Sequence, residues 1–163
     1  TTTLTATNGD VNFVAVGKPG FLKIRGESKG NAPTGVVKIE NGNATADFEF
    51  DLKSLDTGVN LRNEHMKDKY LEIAKFPSAK LSIKSLSILE TELSSTFKKT
   101  FIGTLTLHNV SKEVTGNFEY KGKEKKLTAT FSFKVSDFNI DIPKYMGITV
   151  SEMVETEVTI IFK

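Results

Sequence analysis

Residues 44–52 read Ala-Thr-Ala-Asp-Phe-Glu-Phe-Asp-Leu. Ala44, Ala46, Phe48, Phe50 and Leu52 alternate with Thr45, Asp47, Glu49 and Asp51. A strand points successive side chains to opposite faces, so this stretch carries one apolar face and one acidic, polar face. The same period of two returns further along the chain. Leu127, Ala129, Phe131, Phe133 and Val135 alternate with Thr128, Thr130, Ser132 and Lys134. Val154, Thr156, Val158, Ile160 and Phe162 alternate with Glu155, Glu157, Thr159 and Ile161. Phe101, Gly103, Leu105 and Leu107 alternate with Ile102, Thr104, Thr106 and His108, and Val114, Gly116, Phe118 and Tyr120 follow a turn near Asn109 to Lys112.

Earlier strands are expected at Asp10 to Val16, Phe21 to Glu27, Gly35 to Ile39 and Lys80 to Leu86. Gly17-Lys18-Pro19-Gly20 and Asn41-Gly42-Asn43 are the turn chemistry between them. About eight or nine short strands with one clean apolar face each predict an all-β antiparallel sandwich or barrel. Closing the sheet removes exposed edges, and a barrel of about eight strands is just wide enough to hold one small ligand.

One segment breaks the alternation. Residues 60–71, Asn-Leu-Arg-Asn-Glu-His-Met-Lys-Asp-Lys-Tyr-Leu, predict one short helix with Asn60 as its N-cap. Leu61, Met66, Tyr70 and Leu71 form a rough apolar stripe, and Glu64 and Lys67 stand three apart, a pairing that favours the helix. Phe76-Pro77 ends the excursion before the next strand.

The chain has 163 residues, about one domain on the length prior, and is long enough to bury a core without a disulfide or metal staple. A net charge of +2 argues against nucleic acid as a partner. The densest basic run, Lys121 to Lys126, reads as a solvated hairpin turn. Absence of cysteine excludes a thiol nucleophile and a Cys-based metal site. No apolar run approaches the ~18 residues of a membrane-spanning helix. The two histidines, His65 and His108, lack ligand spacing, and His108 is expected on an exposed polar face. No nucleophile elbow, zinc-protease helix, phosphate loop or dinucleotide fingerprint occurs. Asp137, Asp141 and Glu152 are free to meet at one rim, although nothing in their spacing demands it.

The run from Phe50 to Leu86 resembles the signature of the YceI-like family. That signature is a strand ending in Ser-Leu-x-Thr, then Arg-Asp-x-His-Leu, then an aromatic–Pro pair. Here it reads Ser54-Leu55-Asp56-Thr57, Arg62-Asn63-Glu64-His65-Met66 and Phe76-Pro77. Gly103 to Gly116 is similar to the family's Gly-x-Leu-Thr hairpin, and Leu22 to Gly26 to its early Val-Arg-Gly strand. Asn63 stands where Asp is usual, Met66 where Leu is usual and Asn109 where Gly is usual, so this chain has no Arg–Asp pair at 62–63. The resemblance implies a lipocalin-like antiparallel β-barrel of eight strands with one helix, a single domain over residues 1–163. It also implies that the barrel binds a polyisoprenoid or related long-chain lipid, polyprenyl or quinone in type, with no catalytic role and no other cofactor required. It implies a periplasmic or secreted protein, and the chain opens at Thr1 without Met, as it would after removal of an export segment. Oligomeric state, a homodimer included, is left open.

Twelve Phe against three Tyr and no Trp suit a wholly apolar interior. Strand parity puts Phe13, Phe48, Phe50, Leu105, Phe118, Phe131, Phe133, Val158 and Ile160 on inward faces, with Gly103 and Gly116 beside them as room for a ligand. These side chains either meet and fill the centre or line a tunnel. Arg62 and His65, three apart on a helix, either cap the tunnel mouth and contact a lipid head group or fix local structure. Arg25 faces either the mouth or solvent. Three functions follow from these alternatives: a lipid carrier, an enzyme using the barrel as a lipid reaction chamber, and a solid-core interaction domain.

Overall fold

The computed structural model describes residues 2–18, 22–28, 33–142, 144–145 and 148–163. The strands are β1 (Thr2–Lys18), β2 (Leu22–Glu27), β3 (Thr34–Glu40), β4 (Asn43–Asp51), β5 (Ser78–Ser87), β6 (Thr96–Leu107), β7 (Val110–Lys121), β8 (Lys126–Lys134), β9 (Lys144–Tyr145) and β10 (Ile148–Phe162). Eight of them form the antiparallel barrel β1-β3-β4-β5-β6-β7-β8-β10, closed by β10 pairing back onto β1. The two short strands β2 and β9 extend its wall at one end. β1 is long enough to pair with β3 through Thr2–Thr5 and with β2 through Asn12–Gly17 on the same flank.

The alternation read from residues 44–52 holds in β4, where Ala44 and Ala46 are buried and Thr45, Asp47 and Glu49 are exposed. It stops at Asp51. Leu52, expected to extend the strand, opens a turn over Leu52–Ser54 whose start is fixed by Asp51 Oδ1 accepting the Lys53 N–H. Val135 likewise leaves β8 for the turn Val135–Phe138. β1 begins eight residues earlier than the expected Asp10, since closure onto β3 and β10 gives Thr2–Asn8 ladder partners that a weakly patterned segment does not announce. Pro19 and Gly20 of the first breaker, and Phe21 of the expected second strand, lie outside the described residues.

The connection from β4 to β5 caps the end at which β6 turns into β7. It holds one helix, α1 (Asn60–Glu64), which widens into a π-type turn over His65–Tyr70 where the Leu71 N–H donates to Met66 O, five residues back. Val59, not Asn60, occupies the N-cap, with no side-chain cap bond. Leu61 of the expected apolar stripe is 49% exposed. Lys67 donates to Lys53 O at 2.7 Å instead of pairing with Glu64. Tyr70 is buried, donating to Lys144 O (3.2 Å) and accepting the Lys144 N–H (2.9 Å), which ties the cap to β9.

Phenylalanine packing follows the wall from one end to the other. Tyr120 and Phe97 (5.6 Å between centroids), Phe97 and Phe118 (6.0 Å), Phe118 and Phe101, Phe101 and Phe131, Phe131 and Phe133 (6.4 Å each), and Phe133 and Phe138 (5.6 Å) form a continuous series. Offset and edge contacts of this kind add to the apolar burial of each ring. Burial alone raises the Tyr120 hydroxyl above its ordinary pKa. Among the eight barrel strands the shortest seam is β5–β6, paired only from Lys80↔Thr106 to Ser82↔Thr104. Beyond it Lys99 bridges to Ser87 O (2.7 Å) and to Glu92 (3.0 Å).

Candidate functional site

The inward faces do not close on one another. They enclose a cavity of about 290 Å³ running along the barrel, at the small end of the roughly 300–1,000 Å³ usual for ligand sites. Phe13, Phe48, Phe50, Leu105, Phe118, Phe131, Phe133, Val158 and Ile160 all line it. So do small residues, Ala15, Ala44, Ala46, Ala79 and Ala129, which sequence reading passed over. They are the signal for space: a period-two face with alanine at several positions leaves a barrel of this size incompletely filled.

The inward glycines serve a different purpose from the expected one. A Cβ at Gly116 would stand 2.8 Å from the Phe101 ring and 2.3 Å from Thr130 O, and one at Gly103 would stand 3.1 Å from both Leu81 Cδ1 and Ser82 O. Their missing side chains make room for neighbouring strands and rings rather than for a ligand. Gly26 acts likewise. It faces Phe13 in the ladder, and a Cβ there would fall 2.2 Å from the Phe13 ring. Arg25, next to it, is exposed and is not part of the cavity lining.

At the capped end the lining carries Thr57, Arg62, His65, Tyr70, Lys144 and Ser151, and Thr45, Glu49, Lys80 and Thr156 add polar residues elsewhere along the wall. Arg62 and His65 therefore share the cavity wall. Arg62 is held by Nη2 donating to Thr57 O at 2.6 Å, while its buried Nε–H has no hydrogen-bond partner. Asn63 organises the loop beneath. Its Oδ1 accepts from the Thr57 N–H (2.7 Å) and Oγ1 (2.6 Å), and its Nδ2 donates to Asp56 Oδ1 (2.8 Å), which also accepts the Gly58 N–H (2.8 Å). An amide suits this position because it offers an acceptor to Thr57 and a donor to a carboxylate at once. Arg62 consequently has no carboxylate partner among the described residues.

His108 is a correction. The strand ends at Leu107, and His108 and Asn109 both take left-handed backbone (φ 54° and 60°) in a two-residue turn, so strand parity no longer governs them. The side chain is 11% exposed. Its Nδ1–H donates to Phe138 O (3.0 Å), its Nε2 meets the Glu72 carboxylate (2.6 Å) and its ring lies edge-on to Phe76 (4.6 Å). The Glu72 carboxyl is held below its ordinary pKa, first by the hydrogen bond to His108, with Lys75 adding to it and burial working against it. This cluster pins the cap to the β6–β7 turn and stands outside the cavity lining. Asp137 and Asp141 remain exposed at the rim while Glu152 accepts from Ser136 Oγ (2.8 Å), and no group of three potential metal ligands forms among the described residues.

A family model described as the YceI-like domain matches residues 3–163. Two solved structures share the fold. A polyisoprenoid-binding domain from Saccharophagus degradans, implicated in plant cell wall breakdown, aligns with TM-score 0.72 at 16% identity over 99% of this chain and 97% of its own. BcnA from Burkholderia cenocepacia aligns with TM-score 0.68 at 20% identity over 92% of this chain and 94% of its own. No curated protein matches by sequence.

Proposed function

The chain belongs to the family of YceI-like domains, and from that premise we propose that its barrel is a carrier for a long-chain isoprenoid lipid of the polyprenyl or quinone type. The observation that carries this reading is the cavity itself: an apolar shaft within a closed barrel, lined mainly by Phe, Leu, Ile, Val and Ala. A hydrocarbon chain offers no hydrogen bonds in exchange for displaced water, so it suits a wall of Phe, Leu, Ile, Val and Ala, where no polar group is left unpaired by its arrival. The polyisoprenoid-binding description of the S. degradans domain supports the same class of ligand.

Burial sets the length of chain required. Each buried carbon is worth about 0.8 kcal/mol, so a five-carbon isoprene unit contributes about 4 kcal/mol before ordering costs. Association costs roughly 4–15 kcal/mol. Two units barely offset this, and micromolar affinity, about 8 kcal/mol, calls for about four. The lipid is cargo on this reading and no reaction is assigned to the barrel. We place the protein in the periplasm or outside the cell, where a carrier of such lipids shields them from water.

Native mass spectrometry of the purified protein, followed by organic extraction, tests the proposal. A stoichiometric isoprenoid in the extract, or its uptake by apo protein, is expected. Apo protein that takes up neither geranylgeraniol nor a polyprenyl quinone would refute it.

A further inference from the structure

The barrel wall is not equally closed all round. β6 pairs with β7 at every position from Thr96↔Lys121 to Leu107↔Val110, and β5 pairs with β4 as far as Ser87, yet β5 and β6 pair with each other only from Lys80↔Thr106 to Ser82↔Thr104. The cause is a bulge in β5. Ala46 of β4 pairs with Ile83 but Ala44 pairs with Leu86, so Lys84 and Ser85 together stand opposite Thr45. An extra residue bends its strand and disrupts the ladder beside it. Residues 83–87 of β5 and 96–103 of β6 therefore face one another without ladder partners. Ile83 and Leu86 on one side of this stretch and Phe101 on the other line the cavity, so here the wall of the shaft is held by side chains. Lys99 does the holding. It shares the face of Phe97 and Phe101, where strand parity calls for an apolar residue. Its ammonium turns across the seam instead, donating to Ser87 O at 2.7 Å and to Glu92 at 3.0 Å, and lies 5.1 Å from the Phe97 ring centre. Glu92 is itself fixed by accepting the Leu89 N–H at 2.8 Å.

Outside, the same stretch is bordered by apolar side chains. Ile102 (59% exposed) and Leu89 (56%) are the most exposed large hydrophobic residues among those described, Ile102 on the outer face of β6 and Leu89 just beyond β5. Lys84 and Lys98 are exposed on the same two flanks, Lys98 with Glu119 at 3.7 Å. Exposed apolar side chains among lysines suit the boundary of an anionic bilayer, where the apolar groups sink in and the ammonium groups meet phosphate. Resting on the lipid-carrier reading, we propose that the β5–β6 seam is a side mouth of the barrel, seated on a membrane surface through Leu89 and Ile102, and that the isoprenoid passes between the two strands when Lys99 releases Ser87 and Glu92. The strands are already unpaired there, so passage breaks no ladder bond and only the Lys99 contacts have to part. Entry from the side lets the hydrocarbon slide out of the bilayer without crossing water, whose contact with apolar surface is what makes free transfer slow. Leu89, Lys99 and Ile102 do not line the cavity, so they govern the rate of exchange and not the affinity.

The rate at which tritiated geranylgeraniol moves from equimolar phosphatidylcholine–phosphatidylglycerol vesicles to apo protein tests the proposal, with the affinity measured separately in vesicle-free solution. Leu89→Ser combined with Ile102→Thr is expected to slow transfer about tenfold or more, since two large apolar side chains supply most of the seating. Its affinity in solution is expected to stay within about threefold of wild type. Lys99→Met is expected to speed transfer about two- to tenfold, the worth of one hydrogen bond. Glu92→Gln keeps an acceptor for the Leu89 N–H while losing the ion pair, is expected to speed transfer less, and carries the test if thermal unfolding shows that Lys99→Met does not fold. Val59→Thr combined with Leu61→Ser alters two exposed apolar side chains of the cap, also outside the lining, and is expected to leave transfer unchanged. Wild-type transfer rates in the Leu89 and Ile102 pair, or in both Lys99→Met and Glu92→Gln, overturn the side mouth and leave the carrier reading standing. Slowing by the Val59 and Leu61 pair as large as by the seam pair does the same. Wild-type protein that takes up geranylgeraniol neither from vesicles nor from solution overturns both.

Discussion

Ala46→Phe separates a cavity from a loosely drawn core. Ala46 lies mid-β4, 6% exposed, on the cavity wall, between Val37 of β3 and Ile83 of β5 in the ladders and with Ala44 as a same-face neighbour. A phenyl ring introduced there enters the 290 Å³ space. Burying a Phe side chain is worth about 1.5–3 kcal/mol, and Phe suits a half-buried strand better than Ala by up to ~1 kcal/mol. Against this stands overpacking, which costs about 1–3 kcal/mol when a core is already filled. With empty space to receive the ring, overpacking is small and the variant should be as stable as wild type or up to ~2 kcal/mol more so. Denaturant unfolding of apo protein measures this, and for a chain of this size 1 kcal/mol also moves the melting temperature by about 2–4 °C. The same ring obstructs the shaft, so geranylgeraniol affinity should fall at least tenfold. A gain in stability with a loss of binding is the signature of a built cavity. Destabilisation by more than ~2 kcal/mol would refute the reasoning, because it would mean that the inward faces already meet.

Three further outcomes follow from particular contacts. Asn63→Asp sets a second carboxylate against Asp56, now 2.8 Å from the amide nitrogen, and should cost about 1–2 kcal/mol at pH 7. The penalty is a repulsion between two carboxylates, so it should shrink on acidification towards pH 4 as they take up protons; a penalty that does not change between pH 7 and pH 4 would count against it. Glu72→Gln weakens the clasp on His108. Since the folded Glu72 pKa lies below its ordinary 4.5, wild type holds the carboxylate's contribution above that pH and loses it as pH falls through the depressed value. The stability difference between the two proteins should therefore narrow in acid, and equal differences at pH 7 and pH 3 would contradict the assignment. In a series of C10, C15 and C20 isoprenols, each added unit should tighten binding at least tenfold until the shaft is full; affinities independent of length would show that the chain is not what the barrel holds.

Strand parity was legible in the sequence because it is a local property of the backbone: once a segment is extended, the direction of every side chain follows from its position. Phe48 and Phe50 on β4, Phe131 and Phe133 on β8, and Val158 and Ile160 on β10 could therefore be placed on inward faces before any strand was paired, and all six line the cavity. The cap, too, was visible as an interruption at residues 60–71, although its widening at His65 and its bare N-terminus were not.

What escaped the sequence depends on partners distant along the chain. His108 was misplaced because a turn reset its parity, and its burial comes from Glu72, Phe76 and Phe138, each about thirty residues or more away. Gly103 and Gly116 looked like space for a ligand, yet a neighbouring strand and the Phe101 ring occupy that space. The phenylalanines could equally have filled the centre, and only barrel closure, with β10 meeting β1, decided that Phe13, Phe48, Phe50, Phe101, Phe118, Phe131 and Phe133 stand around an opening. Arg62 has an unpartnered Nε–H for the same reason: whether a charge finds a counter-ion is fixed by which segments fold against it, and the chain brings it a carbonyl and an apolar shaft, but no carboxylate among the described residues. The period of the chain determined which side chains point inward; the circumference of the closed sheet determined how far apart they stand.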